Sequence, residues 1–105
     1  MDIAKLQQQV ADFVRQHNME TTVPVRLLDL ASEMGEVSKE VLKTTRYGKE
    51  PFHPTAEWES ELGDLFFSLI CLANSTDVDL EHALAAVLDK YVKRLANSGD
   101  AGSGS

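Results

Sequence analysis

The chain has 105 residues, enough for one domain with a core of its own and too few for a separate regulatory domain. Seventeen acids against ten bases give a net charge of −7, which excludes the basic surface needed to bind a nucleic acid polymer through its phosphates. A phosphate site bridged by a metal ion stays compatible with that charge.

Ile3, Leu6, Val10, Phe13, Val14 and His17 recur at helical spacing, which predicts a first helix over residues 2–18 with Gln, Lys and Asp on its other side. After the polar break from Asn18 to Thr22, Pro24 suits the opening turn of a second helix that runs to Thr45. Its apolar stripe reads Leu27, Leu30, Ala31, Met34, Val37 and Val41. Beside it, Asp29, Glu33, Glu36 and Glu40 fall within an arc of roughly 60° at 3.6 residues per turn. The segment Arg46-Tyr47-Gly48-Lys49-Glu50-Pro51-Phe52-His53-Pro54 reads as a loop.

Thr55 is the expected N-cap of a third helix reaching Asn74, with Trp58, Leu62, Leu65, Leu69 and Leu72 on one side and Glu57, Glu61 and Asp64 on another. Its second half is apolar nearly all round. Phe66, Phe67, Ile70 and Cys71 are therefore expected to be buried between subunits of a homodimer or a dimer of dimers. Asp77 or Asp79 caps a fourth helix with the stripe Leu80, Leu84, Val87, Leu88, Tyr91 and Leu95, and Lys90, Lys93 and Arg94 load its negative end. A domain over residues 1–96 is followed by a Gly/Ser tail over 97–105, expected to be flexible. The fold class is all-α, a four-helix bundle.

Cys71 is the single cysteine and lies in the apolar run Leu65 to Ala73, as a buried thiol would. That run is about half the roughly 20 residues a membrane helix needs. The N-terminus lacks a secretory apolar stretch, so a soluble protein of the cytoplasm is expected, with no membrane partner.

Two carboxylate pairs carry the chemistry. Glu33 and Glu36, like Glu61 and Asp64, stand three residues apart, one turn along a helix, and both pairs are flanked by residues that should pack. Like charges so close must take up protons, pair with Lys or Arg, or share a hard divalent cation, and the last accounts for the most residues. A lone pair on one helix would be an ordinary solvated face; the specificity comes from having two. The chain has no Ser or Cys nucleophile with a His partner and no Gly-rich phosphate loop. A carboxylate di-iron site would need Glu-x-x-His on its helices, and the one such spacing, Glu50 to His53, falls in the loop around Pro51 and Pro54.

The chain resembles the MazG-like all-α nucleoside triphosphate pyrophosphohydrolases, whose signature is Glu-Glu-x-x-Glu followed, after a variable gap, by Glu-x-x-Asp. Here the words are Leu30-Ala31-Ser32-Glu33-Met34-Gly35-Glu36-Val37, Glu61-Leu62-Gly63-Asp64-Leu65-Phe66-Phe67, and Leu72-Ala73-Asn74 followed by Asp79-Leu80-Glu81. The likeness spans residues 6–95, and Ser32 stands where the fuller motif has its first glutamate.

The resemblance implies a Mg²⁺-dependent hydrolase, with Mn²⁺ as the substitute to expect, that cleaves a nucleoside triphosphate between its α and β phosphates. The monophosphate and pyrophosphate would be its products, a deoxynucleotide the expected substrate, and cleansing or control of the nucleotide pool the expected purpose. It assigns Glu33, Glu36, Glu61 and Asp64 to the metal; among these acids and their neighbour, Glu36 or Glu40 is the candidate base. Asn74 stands where the family has an asparagine near the substrate. His17, Phe13 and Trp58 are candidates for packing against the base, although aromatic residues in such stripes are more often core. Lys90, Lys93 and Arg94, with Arg46 and Lys49, are candidates for pyrophosphate, and the first three serve equally well as charges at a helix end. Ser32 keeps open a second expectation, a non-catalytic nucleotide-binding or oligomerising helical module.

Overall fold

A computed structural model describes residues 2–98, with the backbone alone at Ser98. Four helices follow one another: α1 (Ile3–Gln16), α2 (Val23–Thr44), α3 (Trp58–Ser75) and α4 (Leu80–Ser98). No strand occurs among the described residues, and none of their helices is long and apolar enough to cross a membrane.

Local chemistry sets the boundaries. Asp2 caps α1 by accepting the Lys5 N–H at 2.8 Å, and Pro24 sits in the first turn of α2. Between the capping candidates of α4 the structure selects Asp79, whose Oδ1 accepts the His82 N–H at 3.1 Å. Asp77 instead takes the left-handed conformation (φ +55°) in the turn before it. Thr55 does not cap α3. Its hydroxyl donates to Glu40 Oε1 at 2.8 Å and accepts the Glu57 N–H at 3.2 Å, so the chain makes a turn there and the helix begins at Trp58. Asn97 and Ser98 continue α4 rather than opening a tail; the rest of the expected tail, 99–105, lies outside the described residues.

α2 and α3 form an antiparallel pair: Glu33 lies beside Asp64 in mid-helix, while Arg26 and Cys71 share a cavity nearer one end. α1 packs on α3, and α4 packs on α1. Val37, Ile70, Cys71 and Ala73 are the buried apolar residues. The face α2 turns inward runs through Arg26, Leu30, Glu33, Val37 and Val41; Leu27 and Met34, placed by periodicity on the packed stripe, are exposed instead.

Ile70 and Cys71, expected to be buried between subunits, are covered by this chain's own helices at 2 % and 4 % exposure. Phe66 of that expected contact does stay exposed, joined by Leu69 on α3 and by Leu84, Leu88, Val92 and Leu95 on α4. The radius of gyration is 16.8 Å, against about 13 Å for a close-packed domain of this length. The helices therefore make an open row rather than a closed bundle.

A buried clasp locks α1 to the turn before α4. Gln7 donates from Nε2 to Asn74 Oδ1 (3.0 Å) and to the Val78 carbonyl (2.8 Å), and its Oε1 accepts the Leu80 N–H (2.8 Å). Asn74 Nδ2 donates back to the Gln7 carbonyl at 3.0 Å.

Candidate metal and substrate site

Midway along the α2–α3 pair the two helices bring their acids together. Glu33 and Glu61 are half-buried and Asp64 is exposed, and one carboxylate oxygen from each lies within 4.8 Å of the others. Glu36, expected as a fourth ligand, is exposed and falls outside that triangle. Its charge nonetheless reaches the site: burial first, then the charges of Glu36, Asp64, Glu33 and Glu40, push the Glu61 carboxyl above its ordinary value.

None of these acids has an ion pair among the described residues, whose salt bridges are Arg15–Asp12, Arg46–Glu50 and Lys93–Asp89. Of the three ways to relieve the repulsion, pairing with Lys or Arg is thus not the one used. A proton or a cation remains.

The donor set fits a hard cation. Mg²⁺ takes oxygen ligands at about 2.1 Å in octahedral geometry, which puts ligand oxygens about 3.0 Å apart when adjacent and about 4.2 Å apart when opposite. Oxygens already within 4.8 Å of one another need only small side-chain rotations to meet that requirement. Gly35 and Gly63 beside the acids are not there to avoid a clash, since a Cβ at either would meet nothing within 4 Å.

The other expected site residues lie around this centre to different degrees. Trp58 is one turn before Glu61 on α3 and packs edge-on against Phe52, with ring centroids 4.9 Å apart. Glu40, one turn beyond Glu36, is oriented by Thr55. His17 stands at the end of α1 against Phe13, 4.4 Å between centroids, and Phe13 meets Phe67 edge-on at 6.2 Å.

Asn74 is ten residues beyond Asp64, about 15 Å along α3, and is engaged in the Gln7 clasp. Lys90, Lys93 and Arg94 lie on α4, which packs on α1. Lys90 and Arg94 flank the Tyr91 ring at 5.5 and 5.9 Å, and Lys93 pairs with Asp89 at 3.0 Å. Among the described residues Lys90 and Lys93 form no ion pair with the acids of α2 and α3.

Two polar residues with structural consequence escaped the sequence reading, Gln7 and Arg26, both buried. Arg26 left a readable signal, because it shares the helical line of Leu30 and Val37 that faces α3.

The fold and the site together define an all-α helical domain that gathers carboxylates from two adjacent helices at one point. A family model describing the MazG nucleotide pyrophosphohydrolase domain matches residues 18–98, and the chain belongs to that family. YpjD of Bacillus subtilis (strain 168), an uncharacterized protein, is 43 % identical over 68 residues. That stretch is 62 % of this chain and 60 % of YpjD, so the chain spans less than two thirds of this curated relative.

Among solved structures, Bacillus subtilis YpjD, to which a pyrophosphatase activity is attributed, superposes with a TM-score of 0.72 at 33 % identity, covering 87 % of this chain and 93 % of that one. A Bacillus-conserved MazG protein described as a nucleotide pyrophosphohydrolase does so with a TM-score of 0.72 at 32 % identity, covering 87 % and 89 %.

Proposed function

We propose that the protein is a Mg²⁺-dependent nucleoside triphosphate pyrophosphohydrolase that converts a deoxynucleoside triphosphate to its monophosphate and pyrophosphate. The observation that carries the reading is the convergence of Glu33, Glu61 and Asp64 oxygens within 4.8 Å, with no ion pair to any of them among the described residues. These three, with Glu36 turning in from the neighbouring position, would hold the ion. Bound there, Mg²⁺ supplies charge neutralisation for phosphate oxygens and Lewis acidity at the reacting phosphorus.

The remaining work falls to side chains. Glu36, one turn from Glu33 and from Glu40, is the first candidate to accept the proton of the attacking water. Glu40, held by the Thr55 hydroxyl, is the second candidate for that proton. Trp58 and His17 offer aromatic faces to the base, and Lys90, Lys93, Arg94, Arg46 and Lys49 are the cations available to departing pyrophosphate.

Because the uncovered apolar faces of α3 and α4 need a lid, a homodimer or dimer of dimers is part of the proposal. A role in cleansing or controlling the nucleotide pool inside the cytoplasm suits this activity. Purified protein with Mg²⁺ and a panel of canonical and modified triphosphates should release pyrophosphate, and Glu36→Gln or Asp64→Asn should abolish release. Turnover that survives both changes would overturn the reading. Tight nucleotide binding without product would instead favour the non-catalytic module that Ser32 left open.

A further inference from the structure

Away from the carboxylates, a cavity of about 280 Å³ opens between the end of α1, the start of α2 and the last turns of α3. Thr21, Arg26, Cys71 and Asn74 are among the residues lining it. Arg26 is 7 % exposed, as buried as Val37 in the core. Its Nη2 donates to the Met19 carbonyl at 2.6 Å, while Nε is buried with no acceptor. Among the described residues no carboxylate lies within ion-pair distance of it. A guanidinium does not shed its proton in a protein, so this charge cannot escape by titrating and calls for a counter-ion.

The start of α2 borders the same space through Thr21, just before its cap, and Arg26, in its first turn. Its N-cap Thr22 makes no side-chain capping bond and Pro24 has no N–H to offer, so the N–H groups of Val23 and Val25 keep no partner within the helix. The positive end of a 22-residue helix and a buried, unpaired guanidinium therefore meet at one cavity. Of the charged residues around it, Arg15 is tied to Asp12 at 2.6 Å, and Glu20, exposed at the rim, is the lining carboxylate.

We propose that this cavity binds a phosphoryl oxyanion, gripped by Arg26 and the N-terminal N–H groups of α2, at a site distinct from the carboxylate cluster. The planar guanidinium fork engages two oxygens and the helix end a third, which a tetrahedral phosphate provides and a two-oxygen carboxylate does not. Arg26 precedes Glu33 by seven residues, about 10 Å along α2. The volume lies at the small end of ligand sites, room for a phosphate group but not for a nucleoside triphosphate.

The test is a nuclear magnetic resonance titration of the full chain without Mg²⁺ and with chelator, so that the carboxylates take no part. Inorganic phosphate, a nucleoside monophosphate and acetate are compared at ionic strength matched with NaCl. The expected result is a saturable shift of the Arg26 Nε–H and the Val23 amide with phosphate, absent with acetate, and weakened at least tenfold in Arg26→Gln. A response to the monophosphate too assigns the site to the phosphate of a nucleotide; a response to inorganic phosphate alone assigns it to the free ion. If Arg26→Gln does not fold, the wild-type resonances decide. A linear drift equal to the NaCl control, or a shift unchanged in a folded Arg26→Gln, overturns the proposal. Asp64→Asn, which disables the proposed hydrolysis, leaves this titration intact, so the two readings fail separately.

Discussion

Replacing Gln7 with leucine tests how α4 is held. The substitution keeps the side chain's bulk and removes its amide, leaving Asn74 Oδ1, the Val78 carbonyl and the Leu80 N–H without the partners they have at 2.8–3.0 Å. Orphaning a buried polar group costs about 1–3 kcal/mol. These groups are only part-buried, so the lower end applies, and three of them give about 3 kcal/mol. Against a typical total of about 5–15 kcal/mol this is a large share, and it should lower the thermal midpoint by about 12 °C or more for a domain of this size.

Urea unfolding followed by circular dichroism gives the number, with protein concentration held fixed because association would add to apparent stability. Hydrogen exchange should show α4 losing protection before α2, since α4 packs on α1 and the clasp ties its first turn. A cost below about 1 kcal/mol would refute the idea that these bonds fasten the helix. Asn74→Ala, which removes two bonds of the same clasp, should cost about 1–2 kcal/mol. Measuring its KM where the variant is folded separates this structural job from contact with substrate.

The acid cluster should make stability depend on pH and on cations. A carboxyl whose folded value is raised contributes stability below its unfolded value and loses it as pH rises through the folded one. The Mg²⁺-induced rise in melting temperature should therefore be larger at pH 7.5 than at pH 5, and an equal rise at both would contradict that electrostatic account. Leu84→Asp with Leu88→Asp should convert a dimer or tetramer to monomer in light scattering; a wild-type monomer at micromolar concentration would remove the assembly from the proposal. In the turn after α2, Thr45→Val strips the acceptor of the Gly48 N–H (3.0 Å) and the donor to the Val41 carbonyl (2.6 Å), for about 1–2 kcal/mol by urea unfolding. Gly48→Ala should cost about 1 kcal/mol through its φ of +84° alone, because its Cβ would meet nothing within 4 Å.

The acid pairs were legible because a three-residue spacing on a helix puts two side chains on one face whatever the rest of the fold does. That Glu33 would meet Glu61 and Asp64 while Glu36 stands aside depends on how α2 is rotated against α3, which periodicity does not specify. The same freedom misplaced Leu27 and Met34: α2 carries apolar residues on more than one line, and the packed line turned out to include Arg26. Thr55 looked like a cap because capping is local, whereas its hydroxyl is taken by Glu40, fifteen positions earlier and across the loop. Ile70 and Cys71 were assigned to a subunit contact because the sequence does not reveal which side of an apolar helix its own chain will cover.

The segment 45–57 between α2 and α3 is fastened by Thr45 at one end and by the Thr55–Glu40 bond at the other. Packing between the two helices, not this connector, holds the carboxylate spacing. Residues from Tyr47 to His53 can accordingly be lengthened, shortened or rewritten with little effect on the cradle for the ion. A change there would be felt first at Phe52, whose ring packs on Trp58, the aromatic face that the proposed function offers to the base.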